Sequence, residues 1–136
     1  MILKNFEFDN IDIKKFSLFL FYGDNEGFKN EIIEKICHQK NLKKTLYYEK
    51  EILNNTENFL NSLSTKSFFD NEKIIVVRNA TDKLKEIIEN IYDQSLNDVT
   101  IILDCNILDK KSKIRNFFEK TKNIVCIPFY PDEYKD

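Results

Sequence analysis

The pattern that most constrains the fold of this chain is a series of short, continuous apolar runs. Most of the runs are apolar throughout rather than at every second residue. Continuous runs of this length are typical of strands that are covered on both faces, as in a parallel sheet. We therefore predict five strands, at residues 18–22, 45–48, 74–77, 99–103 and 124–127.

Stripes of apolar residues at helical spacing follow the first four of these runs. The clearest stripe has apolar residues at positions i, i+3, i+4 and i+7 and follows Thr81, a residue type that often caps helices. Strands that alternate with helices predict right-handed crossovers and a three-layer α/β domain with a parallel five-stranded sheet. The stripes and their candidate caps are 28–36 after Asp24 and Asn25, 59–63 after Asn54, 84–91 after Thr81, and 114–118 after Asp109.

The length of the chain, 136 residues, is that of one domain. We assign residues 1–130 to it, and the even spacing of Ile2, Phe6 and Phe8 is compatible with an additional edge strand. Residues 131–136 are polar and begin with a proline. We expect them to start an interdomain connection, so that the chain is a piece of a longer protein.

Composition excludes several functions. A formal net charge of −2 argues against strong charge-driven binding to nucleic acid. No segment approaches the length of a membrane span and the start lacks a signal-peptide layout, so we expect a cytoplasmic protein. Cys37, Cys105 and Cys126 are far apart and are expected to be reduced, and His38 has no nearby partner in sequence. No metal or other cofactor is expected.

The turn after the first run is the strongest lead to an enzyme activity. A phosphate-binding loop has the pattern G-x-x-x-x-G-K-[ST] at this place. Gly23 and Lys29 fit the pattern, whereas Phe28 stands at the second glycine and Asn30 at the hydroxyl residue that binds magnesium. Because a side chain at the second glycine obstructs the approach of phosphate, we predict a degenerate loop that binds no nucleotide. A small P-loop phosphotransferase or NTPase is the alternative.

The acidic residues near this turn do not complete a nucleotide site. Asp24 and Glu26 would repel a triphosphate, and no acid ends the third run, where a magnesium ligand is expected. Asp104 ends the fourth run and could imitate such a ligand. It lies one strand late, so we expect it to cap the following turn.

Two adjacent aromatic residues, Phe68 and Phe69, lie between polar stretches and just before the third run. Neighbouring residues of a helix point about 100° apart, so both rings cannot face one core if the segment is helical. An exposed aromatic with a polar rim is typical of a protein–protein contact. The alternative is that both rings are partly buried under the sheet.

A basic cluster opens the last helical stripe, at Lys110, Lys111, Lys113 and Arg115. We interpret it as a solvated helix face. A contact with DNA phosphate or with an acidic neighbouring subunit is the alternative, and a nonspecific DNA-binding domain is therefore a third reading of the chain.

Four segments, taken together, resemble the N-terminal domain of the delta subunit of bacterial DNA polymerase III. Their order and spacing carry the resemblance, and they span nearly all of the chain. They read L-F-L-F-Y-G-D-N-E-G-F from residue 18, L-S-T-K-S-F-F-D-N-E-K-I-I-V-V from residue 63, N-A-T-D-K-L from residue 79, and I-L-D-K-K-S-K-I-R-N-F-F-E-K from residue 107.

The resemblance implies a clamp-loader subunit with an AAA+-type fold and a degenerate P-loop. Such a chain is no enzyme by itself but a non-catalytic subunit of a DNA-directed DNA polymerase, a nucleotidyltransferase. The resemblance also implies a hydrophobic wedge at Ser67, Phe68 and Phe69, which binds the beta sliding clamp and helps to open the ring for loading onto DNA. The family often has an apolar residue where Lys66 stands here and a smaller aliphatic residue where Phe68 stands.

Further partners also follow from the resemblance. Other clamp-loader subunits, gamma/tau and delta prime, are expected to bind mainly through a C-terminal region that the chain does not include. DNA is expected to be contacted only indirectly.

Overall fold

The computed structural model describes residues 2, 12–64, 72–95 and 98–130. In this part of the chain five strands form one sheet, and every pair of neighbouring strands is parallel. The predicted strands and the predicted α/β class are therefore confirmed. The strands are β1 (Leu18–Gly23), β2 (Lys44–Tyr48), β3 (Lys73–Ala80), β4 (Val99–Cys105) and β5 (Val125–Phe129), in the spatial order β2-β3-β4-β1-β5.

Five α-helices connect the strands in the described residues. They are α1 (Glu26–Lys40), α2 (Glu49–Asn54), α3 (Thr56–Ser64), α4 (Lys85–Gln94) and α5 (Lys113–Lys120). Short 3₁₀ turns at Ile13–Lys15 and Asp82–Leu84 precede β1 and α4. None of the helices in these ranges is long and apolar enough to cross a membrane.

Helix starts agree with the predicted caps in part. The Asn25 side chain caps α1, as predicted, and Thr81 caps the 3₁₀ turn that leads into α4. The cap of α5 is Ser112 rather than Asp109, because its side chain accepts the hydrogen bond of the Arg115 N–H.

The second predicted cap is wrong by one residue. Asn54 is the last residue of α2, whereas the neighbouring Asn55 accepts a hydrogen bond from the N–H of Asn58 in the first turn of α3. Adjacent asparagines offer the same capping chemistry, so only the structure decides between them.

The helices form layers on both faces of the sheet. Successive strand residues point to opposite faces, so Phe19 and Phe21 face one way and Leu18 and Leu20 the other. Phe19 and Phe21 pack with the apolar residues of α1, and the opposite face packs with the remaining helices. The α1 cluster includes Ile32, Ile33 and Ile36, and the opposite cluster includes Ile52, Phe59, Ile88, Ile91, Ile114 and Phe118.

The two edge strands differ in how they are covered. On β2, Leu46 and Tyr48 are about half exposed, so the expectation that the runs are covered on both faces fails there. Every residue of β5 is buried, and Ile2 forms a parallel bridge with Cys126. Phe6 and Phe8 of the suggested edge strand, and the suggested interdomain connection at 131–136, lie outside the described residues.

Candidate functional site

A two-residue turn joins β1 to α1 at the carboxyl edge of the sheet. β1 ends at Gly23 and α1 begins at Glu26. Gly23 has φ +112°, and a Cβ atom there would lie 2.0 Å from the carbonyl oxygen of Phe129. Glycine is therefore required at this position both by its left-handed backbone and by the close approach of β5.

The first turn of α1 is capped from within the chain. Asn25 Oδ1 accepts the N–H of Phe28 at 3.2 Å, and Asn25 Nδ2 donates to the carbonyl oxygen of Tyr130 at 3.1 Å. A phosphate loop offers such backbone N–H groups to its ligand. Here one of them is bound to the capping side chain, and the acidic Glu26 lies in the same turn.

Lys29 is the central residue of this junction and is completely buried. Its Nζ donates to the carbonyl oxygens of Gly23 at 2.8 Å and Cys105 at 2.9 Å, which end β1 and β4. It also donates to Glu26 Oε1 at 2.9 Å. An ammonium group has three N–H donors, so these three acceptors use all of them.

Asp104 supplies a negative charge that is buried beside the ammonium group of Lys29. Its Oδ1 lies 2.8 Å from Lys29 Nζ, and its Oδ2 lies 2.7 Å from Nη1 of Arg78 at the end of β3. Oδ1 makes no hydrogen bond in the described structure, so its contact with Nζ is ionic. The prediction that Asp104 caps the following turn is wrong, because both of its oxygens face cations. We call Lys29, Glu26, Asp104 and Arg78 the Lys29 network.

The Lys29 network lies where an open α/β sheet usually binds its ligand. Such sheets bind ligands beyond the carboxyl ends of the strands, where neighbouring strands send their helices to opposite faces. β1 and β4 are such neighbours, because the helix after β1 packs on one face and the helix after β4 on the other. The crevice between their ends is therefore occupied by ion pairs of the chain itself.

The structure brings together two of the four residues of the predicted degenerate loop and places the other two elsewhere. Gly23 and Lys29 are in direct hydrogen-bonded contact. The ring of Phe28 instead packs edge-to-face against Phe129, with ring centroids 5.5 Å apart, and Asn30 is exposed. The ion pairs, rather than the Phe28 ring, thus occupy the crevice.

Sequence reasoning did not find the Lys29 network as a unit. The sequence predicts Asp104 only as a cap or an isolated metal ligand and predicts no role for Arg78. The available signal is a single carboxylate in a strand that is apolar apart from Thr100, because a buried carboxylate needs a charged partner. In the described residues no group of three or more His, Cys, Asp or Glu side chains is placed to hold a metal.

The predicted wedge residues Ser67, Phe68 and Phe69, and the neighbouring Lys66, lie outside the described residues. The structure does describe the two stems of their segment. Lys73 Nζ at the start of β3 donates to the carbonyl oxygen of Ser62 in α3 at 2.9 Å. The stems are therefore held together at the amino edge of the sheet, opposite the edge that carries the Lys29 network.

The predicted basic cluster is divided by the structure. Arg115 is engaged within the domain: its Nε donates to Glu119 at 3.0 Å, its Nη1 to the Leu108 carbonyl at 2.8 Å, and its guanidinium lies 4.9 Å from the Tyr22 ring centroid. The other three cations of the cluster are exposed. They are Lys110, Lys111 and Lys113.

The three cysteines are free thiols, as predicted. Cys105 and Cys126 are buried, and Cys37 is half-buried. Burial raises the pKa of the Cys126 thiol to about 12, and it raises that of Cys105 further still. Both thiols are therefore protonated, and poor nucleophiles, at neutral pH. His38 is exposed on α1, away from the Lys29 network.

The fold and the site together define a class: a parallel α/β domain whose usual ligand crevice is filled by a buried lysine and its acidic partners. The family model described as DNA polymerase III, delta subunit, matches residues 19–127 of the chain. The chain belongs to this family, which is part of the DNA polymerase III clamp loader. A search of curated proteins found no match. The resemblance noted from the sequence is thereby confirmed.

Proposed function

We propose that this chain binds the beta sliding clamp through a wedge formed by Ser67, Phe68 and Phe69. Membership of the delta subunit family is the observation that carries the proposal. The sequence adds two adjacent aromatic residues between polar stretches, the composition of a contact core with its rim. We further propose that the domain is of the AAA+ type and that its main contacts with other clamp-loader subunits lie outside residues 1–130.

The two stems of the wedge segment, the end of α3 and the start of β3, are anchored in the core. This supports a wedge that could bind a partner without disturbing the core. Leu63 and Ile74, on either side of the segment, are buried, and the bond from Lys73 to Ser62 ties the two stems together. A segment fixed at both ends loses less conformational entropy on binding than a free one. The contact with the clamp would therefore be made from a rigid base.

In the proposed mechanism the wedge acts by differential affinity. A ligand shifts an equilibrium between two states only if it binds one of them more tightly. The wedge would bind the opened ring more tightly than the closed ring, and so stabilise the form that can pass onto DNA. No chemical step is required of this chain.

The test of clamp binding is the double variant Phe68→Ala/Phe69→Ala. Burying one Phe side chain contributes roughly 2–3 kcal/mol, so loss of both should weaken binding of the cognate clamp by a hundredfold or more. Surface plasmon resonance with immobilised clamp measures this directly. Leu46→Ala/Tyr48→Ala is the matched control, because it removes half-exposed apolar groups from the edge strand β2. Equal affinity of the wedge variant and the parent would refute the assignment.

A second measurement separates ring opening from simple binding. Affinity is compared between a clamp crosslinked shut at its subunit interfaces and a clamp variant that is monomeric. We expect tighter binding to the monomer, because it presents the contact without the cost of opening the ring. Equal affinities would leave clamp binding intact but contradict the opening mechanism.

We also propose that the chain binds no nucleotide. All three N–H donors of Lys29 are used by acceptors of the chain, and one of these acceptors, Glu26, is acidic. Calorimetric titration with ATP and Mg²⁺ should therefore show no saturable binding. Micromolar binding that is lost in Lys29→Met would instead favour the phosphotransferase alternative.

A further inference from the structure

The edge strand β2 exposes more apolar surface than any other strand of the described sheet. Leu46 is 49% and Tyr48 is 53% exposed, whereas every residue of β1, β4 and β5 is buried. Among the described strands β2 pairs only with β3. The hydrogen-bonding groups on its outer side therefore face no strand of this part of the chain, and such an edge is a template for pairing with another strand.

Leu46 and Tyr48 lie on the face of the sheet that carries α1. Leu46 is in register with Val76 of β3, and Val76 belongs to the α1 cluster. Residues in register on neighbouring strands point to the same face, and Tyr48 points the same way as Leu46 because it is two residues further on. The sheet residues that pack with α1 come from β1, β3, β4 and β5, and none of those described comes from β2. The two side chains therefore extend the apolar layer beyond the area that α1 covers.

β2 lacks most of the features that protect an edge strand from pairing. It contains no proline, and its register with β3 runs without a bulge from Lys44 to Tyr48. Its only charged side chain is Lys44, whose Nζ lies 3.0 Å from Glu34 Oε2 on α1. A strand that fits this edge therefore has an apolar centre and places no cation opposite Lys44.

The sequence of β2 is complementary to itself in the antiparallel direction. Directly opposite residues of two paired strands point to the same face, so a two-fold axis must relate a residue to its own copy. An axis at Leu46 pairs all five residues of β2 with those of a second copy. An axis at either neighbouring residue pairs only three of them, so the register centred on Leu46 gives the longest contact.

The opposite pairs in this register are chemically matched. Leu46 meets Leu46 of the second copy, and Lys44 meets Tyr48, so that the ammonium group can contact the aromatic ring. On the other face Thr45 meets Tyr47, a pair of residue types that are common in strands. No like charges of the two strands are opposed.

The charges just outside the strand are complementary as well. Lys43 is exposed and precedes β2. The register brings it towards the first turn of α2 in the second copy, which contains Glu49 and Glu51. Opposite charges at both ends of the contact favour a second copy of this chain over an arbitrary apolar strand.

We propose that β2 is a self-association edge through which two copies of the chain pair antiparallel, with Leu46 on the two-fold axis. The two parallel sheets become one continuous sheet across this contact. Because each copy uses the same patch, the contact is closed and stops at a dimer. Five residues of strand extend only about 17 Å, so the dimer is weak and reversible. The contact does not depend on the proposed wedge.

Sedimentation velocity between about 10 μM and 1 mM tests the proposal, with a shift from monomer to dimer expected over this range. Two variants in the same strand place the same charge two residues apart. Leu46→Glu sets two carboxylates opposite each other and should weaken the dimer about tenfold or more. Tyr48→Glu sets a carboxylate opposite Lys44 and should stay within about threefold of the parent. Equal weakening by both variants would refute the register, and unchanged circular dichroism shows that both are folded.

Disulfide crosslinking locates the contact. Directly opposite residues of antiparallel strands have Cα atoms about 4.5–5.5 Å apart, within the range that a disulfide spans. In a Cys37→Ser background, Leu46→Cys should therefore give a covalent dimer with diamide. Ile107→Cys is the control for random collision, because Ile107 is 72% exposed and lies outside the strands. Equal crosslinking at the two positions would show that the copies do not meet through β2.

Two further outcomes separate this edge from the wedge. Phe68→Ala/Phe69→Ala should dimerise like the parent, and loss of the dimer in that variant would move the contact to the wedge segment and overturn the proposal. Clamp affinity should be the same in Leu46→Glu and the parent, so a failure of the wedge is recognised independently. A chain that remains monomeric up to about 1 mM would exclude self-association and overturn the proposal.

Discussion

Replacing Lys29 by methionine tests whether the Lys29 network holds the fold together. Methionine has nearly the same helix propensity as lysine and can fill the same buried space, so the substitution removes mainly the charge. Asp104 would keep Arg78 but lose its buried partner, and the carbonyl oxygens of Gly23 and Cys105 would lose a hydrogen bond. Removing one member of a buried ion pair costs about 3–5 kcal/mol.

The expected size of the effect can be converted into a shift of the melting temperature. At about 2.1 cal/mol/K per residue, the unfolding entropy of a 136-residue chain is near 290 cal/mol/K, so the loss is about 10–17 °C. Glu26 is the internal comparison, because its side chain is 53% exposed. Glu26→Gln should cost less than about 1 kcal/mol, as is typical of exposed ion pairs.

Urea unfolding followed by circular dichroism measures these differences, provided that the slope against urea stays constant. Lys35→Met, on the exposed face of α1, is the control and should lie within about 0.5 kcal/mol of the parent. The double variant Lys29→Met/Asp104→Leu should be more stable than Lys29→Met alone, because it leaves no buried carboxylate without its lysine, and Arg78, which loses its partner, is partly exposed to water. A Lys29→Met variant within about 1 kcal/mol of the parent would refute the structural role, since loss of one member of a buried ion pair leaves the other member without its partner.

Three further predictions follow from single sites. Gly23→Ala should destabilise the fold by more than about 2 kcal/mol, because Gly23 has a positive φ and an added Cβ would clash with β5. Gly27 has open space around it, so Gly27→Ala should stabilise α1 by about 0.5–1 kcal/mol. Urea unfolding measures both changes. In native protein at pH 8, Ellman's reagent should modify Cys37 first, and rapid reaction of Cys126 would contradict its burial and its raised pKa. Burial tends to raise the pKa of Asp82, but its hydrogen bonds outweigh this and lower the pKa below its ordinary value. The contribution of the Asp82 carboxylate to stability is therefore present above its unfolded pKa and is lost as pH falls through its folded pKa. Asp82→Ala should accordingly be more destabilising at neutral pH than in acid. Urea unfolding at both pH values measures the difference.

The strands and four of the five described helices were predictable from the sequence because their signals are local, whereas α2, at Glu49–Asn54, matches none of the predicted stripes. A continuous apolar run such as 99–103 marks a covered strand wherever it lies, and the stripe at 84–91 marks a helix face. The caps were less predictable, since Asp109 and Ser112 both have the right chemistry and lie three residues apart. The exposure of β2 was not predictable, because an apolar run does not reveal whether its strand lies at the edge of the sheet.

The Lys29 network could not be predicted, because it depends on the order of the strands in space. Lys29 and Cys105 are 76 residues apart in sequence, and they meet only because β4 lies beside β1. Arg78 reaches Asp104 for the same reason, since β3 lies on the other side of β4. Periodicity assigns residues to strands and faces but does not order the strands.

This dependence on strand order bears on how a motif such as the phosphate loop should be interpreted. In an open loop a bound phosphate neutralises the lysine, whereas a buried lysine without phosphate needs anions from the protein. Here Asp104 and Glu26 supply these anions. The helix α1 begins three residues before Lys29, and only two residues separate α1 from β1. Binding phosphate would require Lys29 to give up these partners and the first turn of α1 to unwind. The presence of the glycine and lysine therefore reflects packing at the junction of β1, β4 and α1, and is not by itself evidence for nucleotide use.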